Sequence, residues 1–270
     1  MRGLLLSVLL TLAPVARSVA ADQPRDVPYP GLITLEVDAT DIDRHIFNVR
    51  ESVPVHAGAL TLYYPEWIPG YHAPLGSIQS LAGLVIEGNG RRIEWRRNSL
   101  DVHAFQLTVP AGVKTLELQF QFLSPQTPDQ GRVVMTPEIL IVAWETVLLY
   151  PAGHYASRIR FAPTLRLPEG WWFATALPAE QGDGRTVRFD PTTLETLVDS
   201  PVFAGLRFSR VDLDPGARVP VYMNVFVDEP GELQIEPEFL AAHRRLVHEA
   251  IQLFGPPHFA RYDFLFAVSY

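Results

Sequence analysis

The residues best suited to metal chemistry lie in a predicted helix near the end of the chain. There His248 and Glu249 begin a His-Glu-x-x-His pattern, in which two histidines one helical turn apart hold zinc and the glutamate acts as a base. Gln252 occupies the position of the second histidine. His243 cannot replace it, because five residues along a helix place the two histidines about 140° apart. The pattern therefore predicts no metal site in this helix.

Nucleophilic catalysis also lacks the residues that it needs. The chain has no cysteine, which excludes disulfides, a thiolate nucleophile and cysteine-liganded zinc. It has no Gly-x-Ser-x-Gly segment to expose a catalytic serine, and Asp199-Ser200-Pro201 is typical of a turn. The other histidines show no ligand spacing, so a hydrolytic site assembled from distant strands stays open but has no signature in the sequence.

A segment rich in aromatic rings is the best candidate for ligand contact. The aromatic loop, residues 63–72, carries four large aromatic side chains, two prolines and a glycine. Rigid loops of this kind often frame binding clefts, although a structural corner that closes the end of a sandwich has the same composition. Trp144 and Glu145, between two apolar runs, pose the same choice. The candidate substrate-cleft residues are Trp67, Pro69, Gly70 and Tyr71.

The elements that would position these residues are almost all strands between residues 31 and 227. Residues 116–122 alternate apolar and polar side chains, which indicates a strand with one wet face. Gly88-Asn89-Gly90 is typical of a hairpin loop. Other strands are predicted at residues 139–144, 146–150 and 203–211, among others. Many short strands and 24 prolines predict a mainly β fold, an antiparallel β-sandwich.

The pattern changes after Pro230. Glu236-Pro237-Glu238 is typical of a helix start, apolar residues follow at helical spacing, and Gly255 ends the element. Residues 262–270 then form an apolar run with no turn signal after it, which predicts a buried strand. We expect a sandwich domain over residues 22–230 and, over residues 231–270, the first helix and strand of a second, incomplete α/β domain.

The first residues resemble a secretory signal peptide. Arg2 precedes an apolar stretch, and small residues at 18–21 suit cleavage, so residues 1–21 are predicted to be removed. The alternative, a membrane anchor, fits less well because the apolar stretch of about 14 residues is shorter than the roughly 20 that a span requires. A periplasmic or secreted location follows. The net charge of −8 and the lack of a basic cluster predict no nucleic-acid partner and no membrane contact after cleavage.

The aromatic loop also carries a family resemblance. Residues 65–72, Pro-Glu-Trp-Ile-Pro-Gly-Tyr-His, resemble the Pro-x-Trp-x-Pro-Gly-x-Tyr signature of the glycyl aminopeptidase family of zinc metallopeptidases, which often carry a PDZ domain. His72 stands where that family has tyrosine, and Tyr71 lies one place earlier. The similarity runs from about residue 28 to residue 270 and includes segments 148–151, 172–177, 197–202 and 262–267.

The resemblance implies an N-terminal β-sandwich joined to a thermolysin-like catalytic domain. Zinc is expected in the full-length family, but its ligands lie on a helix and a downstream glutamate that are not in these 270 residues. This chain is therefore expected to hold no cofactor, to be inactive alone, and to pack on a catalytic domain while shaping the cleft for a peptide substrate. The alternative is a free-standing secreted β-sandwich module that binds peptide or carbohydrate.

Overall fold

Alternating apolar and polar side chains build the largest sheet of this computed structural model, which describes residues 23–68, 70–71, 73–180 and 185–269. In β1 (Leu32–Asp41) the side chains of Ile33, Leu35 and Val37 are buried, and the residues between them are exposed or half-buried. Successive strand residues point to opposite faces, so one face of the sheet packs and the other meets water.

The remaining strands follow in chain order. They are β2 (Ile46–Pro54), β3 (Gly58–Tyr63), β4 (Leu81–Gly88), β5 (Arg91–Arg92), β6 (Trp95–Arg97), β7 (Ala104–Val109), β8 (Thr115–Leu123), β9 (Ile139–Val142), β10 (Tyr150–Pro151), β11 (Arg160–Arg166), β12 (Trp172–Ala174), β13 (Ala179–Glu180), β14 (Thr186–Phe189), β15 (Thr192–Thr193), β16 (Val202–Gly205), β17 (Phe208–Asp212), β18 (Val221–Val227) and β19 (Tyr262–Val268). The helices are α1 (Leu194–Val198) and α2 (Pro237–Phe254), with 3₁₀ turns at Ile78–Ser80, Trp144–Thr146, Ala156–Arg158 and Pro230–Leu233.

Three sheets form a sandwich around the main core. The large sheet has the order β13-β14-β11-β1-β2-β8-β4-β5, with β15 beside β11; the β10-β3-β7-β6 and β12-β16-β9 sheets are the other two. Pairing in these sheets is antiparallel except between β1 and β11. Buried side chains from all three sheets belong to one cluster, for example Leu35, Leu62, Phe105 and Leu140. The predicted mainly β fold with antiparallel sheets is confirmed.

A second packing unit joins the β17-β18-β19 sheet to α2. The front face of this sheet meets the sandwich, since Phe226 belongs to the main core and Leu265 packs against it. Its back face carries Met223 and Val225, which are buried in a separate cluster with Val247 of α2. The sheet thus lies between the sandwich and the helix. Among the described residues, β19 has a strand neighbour, β18, on one side alone.

The helix and the hairpin form where the sequence predicts them. Pro237 occupies the start of α2, where its missing N–H costs no hydrogen bond, and Gly255 follows the last residue with φ of 85°. At the predicted hairpin between β4 and β5, Asn89 and Gly90 have φ of 52° and 69°, as a tight turn with two left-handed residues requires. The predicted strand at the end of the chain is β19, whose residues are half-buried or exposed rather than fully buried.

Two strand predictions are wrong in their extent. Residues 146–150 were predicted as a strand, but the segment begins in a 3₁₀ turn, and its backbone N–H at Leu149 bonds the Glu51 carboxylate instead of a neighbouring strand. Residues 203–211 were predicted as one strand, but the chain leaves β16 after Gly205 and enters another sheet as β17. At this crossing the Leu206 N–H donates to the Glu138 carbonyl, next to Gly205 and Ile139, the last pair between β16 and β9.

The predicted domain division stays a prediction. The β17-β18-β19 sheet has strands on both sides of the expected boundary at residue 230. The predicted signal peptide, residues 1–21, lies outside the described residues. No helix in the described part of the chain is long and apolar enough to cross a membrane.

Candidate functional site

The tip of the aromatic loop turns sharply and exposes two rings. Tyr71 N donates to the Ile68 carbonyl at 3.2 Å, and Gly70 takes φ of 81°, which a residue without Cβ adopts without strain. Trp67 is 67% exposed and Tyr71 is 44% exposed. Pro69 and His72 lie outside the described residues. Of the predicted cleft residues, Trp67, Gly70 and Tyr71 thus lie at an accessible turn.

A second glycine lets the loop fold back on its own base. Gly76 N donates to the Glu66 carbonyl at 3.0 Å. A Cβ added at Gly76 would lie 2.0 Å from the Pro65 carbonyl oxygen, so no other residue fits without moving the backbone. Glycine at this position therefore fixes how closely the two arms of the loop approach each other.

The base of the loop is structural. Tyr64 is 1% exposed, donates its hydroxyl to the Thr146 carbonyl at 3.2 Å and stacks its ring on His103. Burial, followed by the nearby Glu145 carboxyl, raises the pKa of the Tyr64 hydroxyl. Tyr64 therefore closes the end of the sandwich, whereas the rings at the tip remain available for contact.

Tyr71 also borders a cavity of about 350 Å³, here named the loop cavity. Its polar lining includes Arg132, Glu145, Asp199 and Ser200, and Arg132 Nη1 donates to the Tyr71 hydroxyl at 3.2 Å. Trp67 is outside this lining. The structure thus brings together segments that are far apart in the sequence: the aromatic loop, the segment of Arg132, the 3₁₀ turn at Trp144–Thr146, the end of α1, and β19.

Glu145 is the titratable group of most interest in the loop cavity. Glu145 is 8% exposed and follows Trp144, which is fully buried and donates its indole N–H to the Ser200 carbonyl at 3.0 Å. Burial raises the pKa of Glu145 to about 7, against smaller lowering effects of a backbone hydrogen bond and of Arg132. A carboxyl group of this kind exchanges its proton near neutral pH, and its ionised form attracts cations.

The described residues that line the loop cavity are poorly suited to nucleophilic catalysis. Ser200 is 8% exposed, and none of the described residues lining the cavity is a histidine that could take its proton. Asp199 follows the last residue of α1, and Ser200 N donates to the Leu197 carbonyl, consistent with the predicted turn. The geometry suits binding of a polar ligand better than covalent catalysis.

The described residues do not provide a zinc site. Among them, no group of three histidine, cysteine, aspartate or glutamate side chains lies close enough to hold a metal ion. His248 Nε2 lies 3.7 Å from Asp214 Oδ1, and His243 Nδ1 lies 2.9 Å from the Phe239 carbonyl. A hydrolytic zinc needs three protein ligands and an open position, so the residues present do not fit it.

The contribution of Arg132 to the loop cavity could not be predicted from the sequence. It lies in a segment without regular structure, and no spacing relates it to Tyr71 or Glu145. Trp144-Glu145 is recognisable as unusual, because a carboxylate between two apolar runs needs an explanation. The partners of Glu145 depend on the tertiary fold.

Comparisons with known proteins give a family and a fold. The family described as Peptidase M61 N-terminal domain matches residues 34–206. A search of curated proteins finds no match. Among solved structures, an aminopeptidase N family protein from Idiomarina loihiensis is similar with a TM-score of 0.72 and 18% identity, over 88% of this chain and 39% of that one.

A second similar structure is an M1 zinc metallopeptidase from Deinococcus radiodurans, with a TM-score of 0.49 and 12% identity, over 89% of this chain and 56% of that one. The chain therefore spans 39% and 56% of the lengths of these two proteins.

Proposed function

Because the chain belongs to the Peptidase M61 N-terminal domain family, we propose that it is the non-catalytic N-terminal part of an exported, aminopeptidase-like zinc metallopeptidase. In this role it packs on a catalytic domain and forms one wall of the substrate cleft. The observation that carries the proposal is the family match over residues 34–206, which runs from β1 to the end of β16. The glycyl aminopeptidase subfamily is part of the proposal and rests on the signature at residues 65–72.

The chemistry of the described residues favours a non-catalytic role over catalysis. Peptide hydrolysis by a zinc enzyme needs a metal-activated water, and no described cluster of side chains can bind the metal. Gln252 occupies the second ligand position of the motif-like segment in α2. The zinc ligands would come from the catalytic domain.

An unpartnered surface supports packing on another domain. Val247 is the residue of α2 that is buried against the sheet, while Leu246, Leu253 and Phe254 are 49%, 76% and 81% exposed. Apolar residues grouped in this way mark an interaction surface. β19 lies in the same packing unit, and its edge away from β18 pairs with no strand of the described residues, which leaves it open to a further strand. The proposed occupant is the catalytic domain.

The exposed rings of the aromatic loop support contact with a peptide substrate. Trp67 and Tyr71 present large apolar area at low entropic cost, and the loop cavity beside Tyr71 offers Arg132 and Glu145 for polar contact. Above pH 7, ionised Glu145 would favour a cationic group of the substrate. Export rests on the signal-like residues 1–21 and gives a periplasmic or secreted location.

The test begins with the genomic DNA downstream of codon 270, which we expect to encode a His-Glu-x-x-His segment. That region is expressed with this chain as one polypeptide, and hydrolysis of glycyl- and alanyl-p-nitroanilide is measured with zinc. Hydrolysis that a chelator abolishes, and that neither part gives alone, is the expected result. A downstream region without the segment, or full activity without residues 1–270, would contradict the proposal.

Substrate contact is tested in the same polypeptide. Trp67→Ala and Tyr71→Ala are expected to raise KM by roughly 5-fold or more, since a buried aromatic contact is worth about 1 kcal/mol or more. Tyr155→Ala is the matched control, because Tyr155 is 46% exposed and lies outside the aromatic loop and the loop cavity. Equal KM values for all three variants would show that the aromatic loop is not part of the substrate cleft.

A further inference from the structure

A second cavity opens where the β12-β16-β9 sheet meets the β17-β18-β19 sheet. This cavity, here named the Trp172 groove, has a volume of about 410 Å³ and is lined by Trp171, Trp172, Phe173, Phe208, Arg210 and Arg261, among others. Small-molecule sites in proteins have volumes of roughly 300–1,000 Å³. The groove is thus large enough for one aromatic group with a short polar chain.

One wall of the Trp172 groove is a stack of aromatic rings. Trp172 is 60% exposed, and its ring lies 6.1 Å from that of Phe208 with 24° between the planes. Phe208 in turn stacks on the buried ring of Phe226 at 4.8 Å. The buried ring of Phe226 holds the inner end of the stack in place, and the ring of Trp172 is accessible at the outer end. A flat apolar group can therefore stack on Trp172 at little entropic cost.

The cross-strand partner of Trp172 is a glycine in a tightly packed position. Gly205 lies directly opposite Trp172 in the β12–β16 pair. A Cβ at Gly205 would lie 2.7 Å from the Glu138 carbonyl oxygen and 3.3 Å from the Phe226 ring. Glycine therefore permits the close approach of β16 to the chain at Glu138 and to the Phe226 ring of the neighbouring sheet.

Arg210 supplies a fixed positive charge beside the rings. Its guanidinium carbon lies 5.4 Å from the centre of the Phe208 ring and 5.3 Å from that of Tyr222. Arg210 Nε donates to Asn224 Oδ1 at 2.8 Å, and Asn224 is fully buried. The two Nη atoms make no hydrogen bond to another described residue, which leaves the end of the guanidinium free to bind an acceptor with two oxygens.

The second arginine of the groove is already neutralised. Arg261 pairs with Asp263, whose side chain is fully buried, and it also donates to the Thr175 carbonyl. By contrast, none of the ion pairs between described residues involves Arg210. No described residue that lines the groove carries a carboxylate. The groove therefore has an excess of positive charge next to an aromatic surface.

We propose that the Trp172 groove binds a ligand that carries both an aromatic group and a carboxylate. The aromatic group stacks on Trp172 and Phe208, and the carboxylate accepts hydrogen bonds from the two Nη atoms of Arg210. A free aryl carboxylate and the C-terminal residue of a peptide with an aromatic side chain share this chemistry. The proposal does not depend on the proposed peptidase role.

The test measures binding to the full chain by isothermal titration calorimetry at low ionic strength. The probes are indole-3-propionate and acetyl-Ala-Ala-Trp with a free carboxylate, each compared with its amide. We expect saturable one-to-one binding of the acids and at least roughly 10-fold weaker binding of the amides, because the charge-assisted hydrogen bonds are lost. Tighter binding of the tripeptide identifies a peptide terminus as the ligand, and tighter binding of indole-3-propionate identifies a small aryl acid.

Variants of the groove separate the two contacts. Arg210→Gln is expected to weaken binding of the acids at least roughly 10-fold, and Trp172→Leu roughly 5-fold. Arg91→Gln and Tyr155→Leu are the matched controls, because Arg91 is exposed on β5, Tyr155 is 46% exposed, and neither lines the groove or the loop cavity. Both controls should bind like the unchanged protein.

Arg210→Lys keeps the proposal testable if Arg210→Gln fails to fold. It retains the charge but loses the two-pronged donor, and it should bind the acids roughly 3-fold more weakly than the unchanged protein does. The proposal is wrong if the amides bind as well as the acids, if the acids show no saturable binding, or if folded Arg210 variants bind them unchanged.

Discussion

Glu51 and Glu145 are buried carboxyl groups whose protonation links the stability of the sandwich to pH. Glu51 is 1% exposed, and one of its oxygens accepts a hydrogen bond from Leu149 N at 2.9 Å. The other oxygen has no hydrogen-bond partner among the described residues. Burial raises the pKa of Glu51 to about 8, although the Leu149 N–H opposes this shift. The neutral form is therefore favoured in the folded protein at neutral pH.

Glu51→Gln tests this link between protonation and stability. The folded-state pKa of about 8 lies above the unfolded value of 4.5, so the unfolded chain releases its proton first as the pH rises. The free energy of unfolding should fall between pH 4.5 and 8 and level off above pH 8, and the uncharged amide of the variant removes this contribution. From pH 5 to pH 8 the wild type should lose roughly 3 kcal/mol more than Glu51→Gln, measured by urea unfolding.

The control for this prediction is Glu94→Gln. Glu94 is exposed, so its substitution should leave the pH dependence of the wild type in place. A Glu51→Gln variant that loses stability between pH 5 and pH 8 as steeply as the wild type would show that Glu51 is ionised in the folded protein.

Single residues also mark the limit of sequence-based prediction of the site. The aromatic loop can be recognised from its composition, and Trp67 and Tyr71 are indeed exposed. The loop cavity cannot be predicted, because Arg132, Glu145 and Tyr71 come from three segments whose closeness depends on the packing of three sheets. The same applies to Arg210, which alternation places on a strand but whose ring contacts depend on strand pairing.

At the scale of elements, α2 has two apolar faces with different partners. Val247 packs against Met223 and Val225 on the back of the sheet, whereas Leu246 and Leu253, which lie seven residues apart on another face of the helix, are 49% and 76% exposed. A helix that packs on one side is expected to carry apolar residues on that side alone. The second apolar face is therefore the surface that the proposed catalytic domain would cover.

Substitutions on the two faces of α2 should have different effects on stability. Val247→Asp places an unpaired charge in the buried cluster and should lower the free energy of unfolding by about 3 kcal/mol or more. Leu253→Glu, at an exposed position on the other face, should change it by less than about 0.5 kcal/mol and should reduce aggregation. Urea unfolding and light scattering give the two quantities. Strong destabilisation by Leu253→Glu would mean that the outer face already has a partner within the chain.

Elements were predictable where local pattern and tertiary pairing agree. The alternation in residues 116–122 marks β8 because one face of that strand is packed and the other is wet. The pattern fails at residues 203–211, where an apolar run continues through Leu206 although the chain changes sheets. Apolar character alone does not reveal such a crossing, since β16 before it is buried and Phe208 after it packs against the same core.

At the scale of the whole molecule, two packing units share one sheet. The sandwich and α2 lie on opposite faces of the β17-β18-β19 sheet, so the position of the outer surface of α2 is fixed relative to the aromatic loop. Asp263 and Leu265 of β19 line the loop cavity itself. A catalytic domain docked on α2 and β19 would thus lie next to the residues that we propose to contact substrate.

The most direct measurement asks whether the chain alone can supply the metal chemistry. The full chain is dialysed against zinc, the bound metal is quantified by atomic emission, and hydrolysis of aminoacyl-p-nitroanilides is followed with and without a chelator. We expect less than about 0.1 zinc per chain and no hydrolysis that the chelator abolishes, because no described cluster of side chains can ligate the metal. One tightly held zinc per chain together with chelator-sensitive turnover would contradict this expectation.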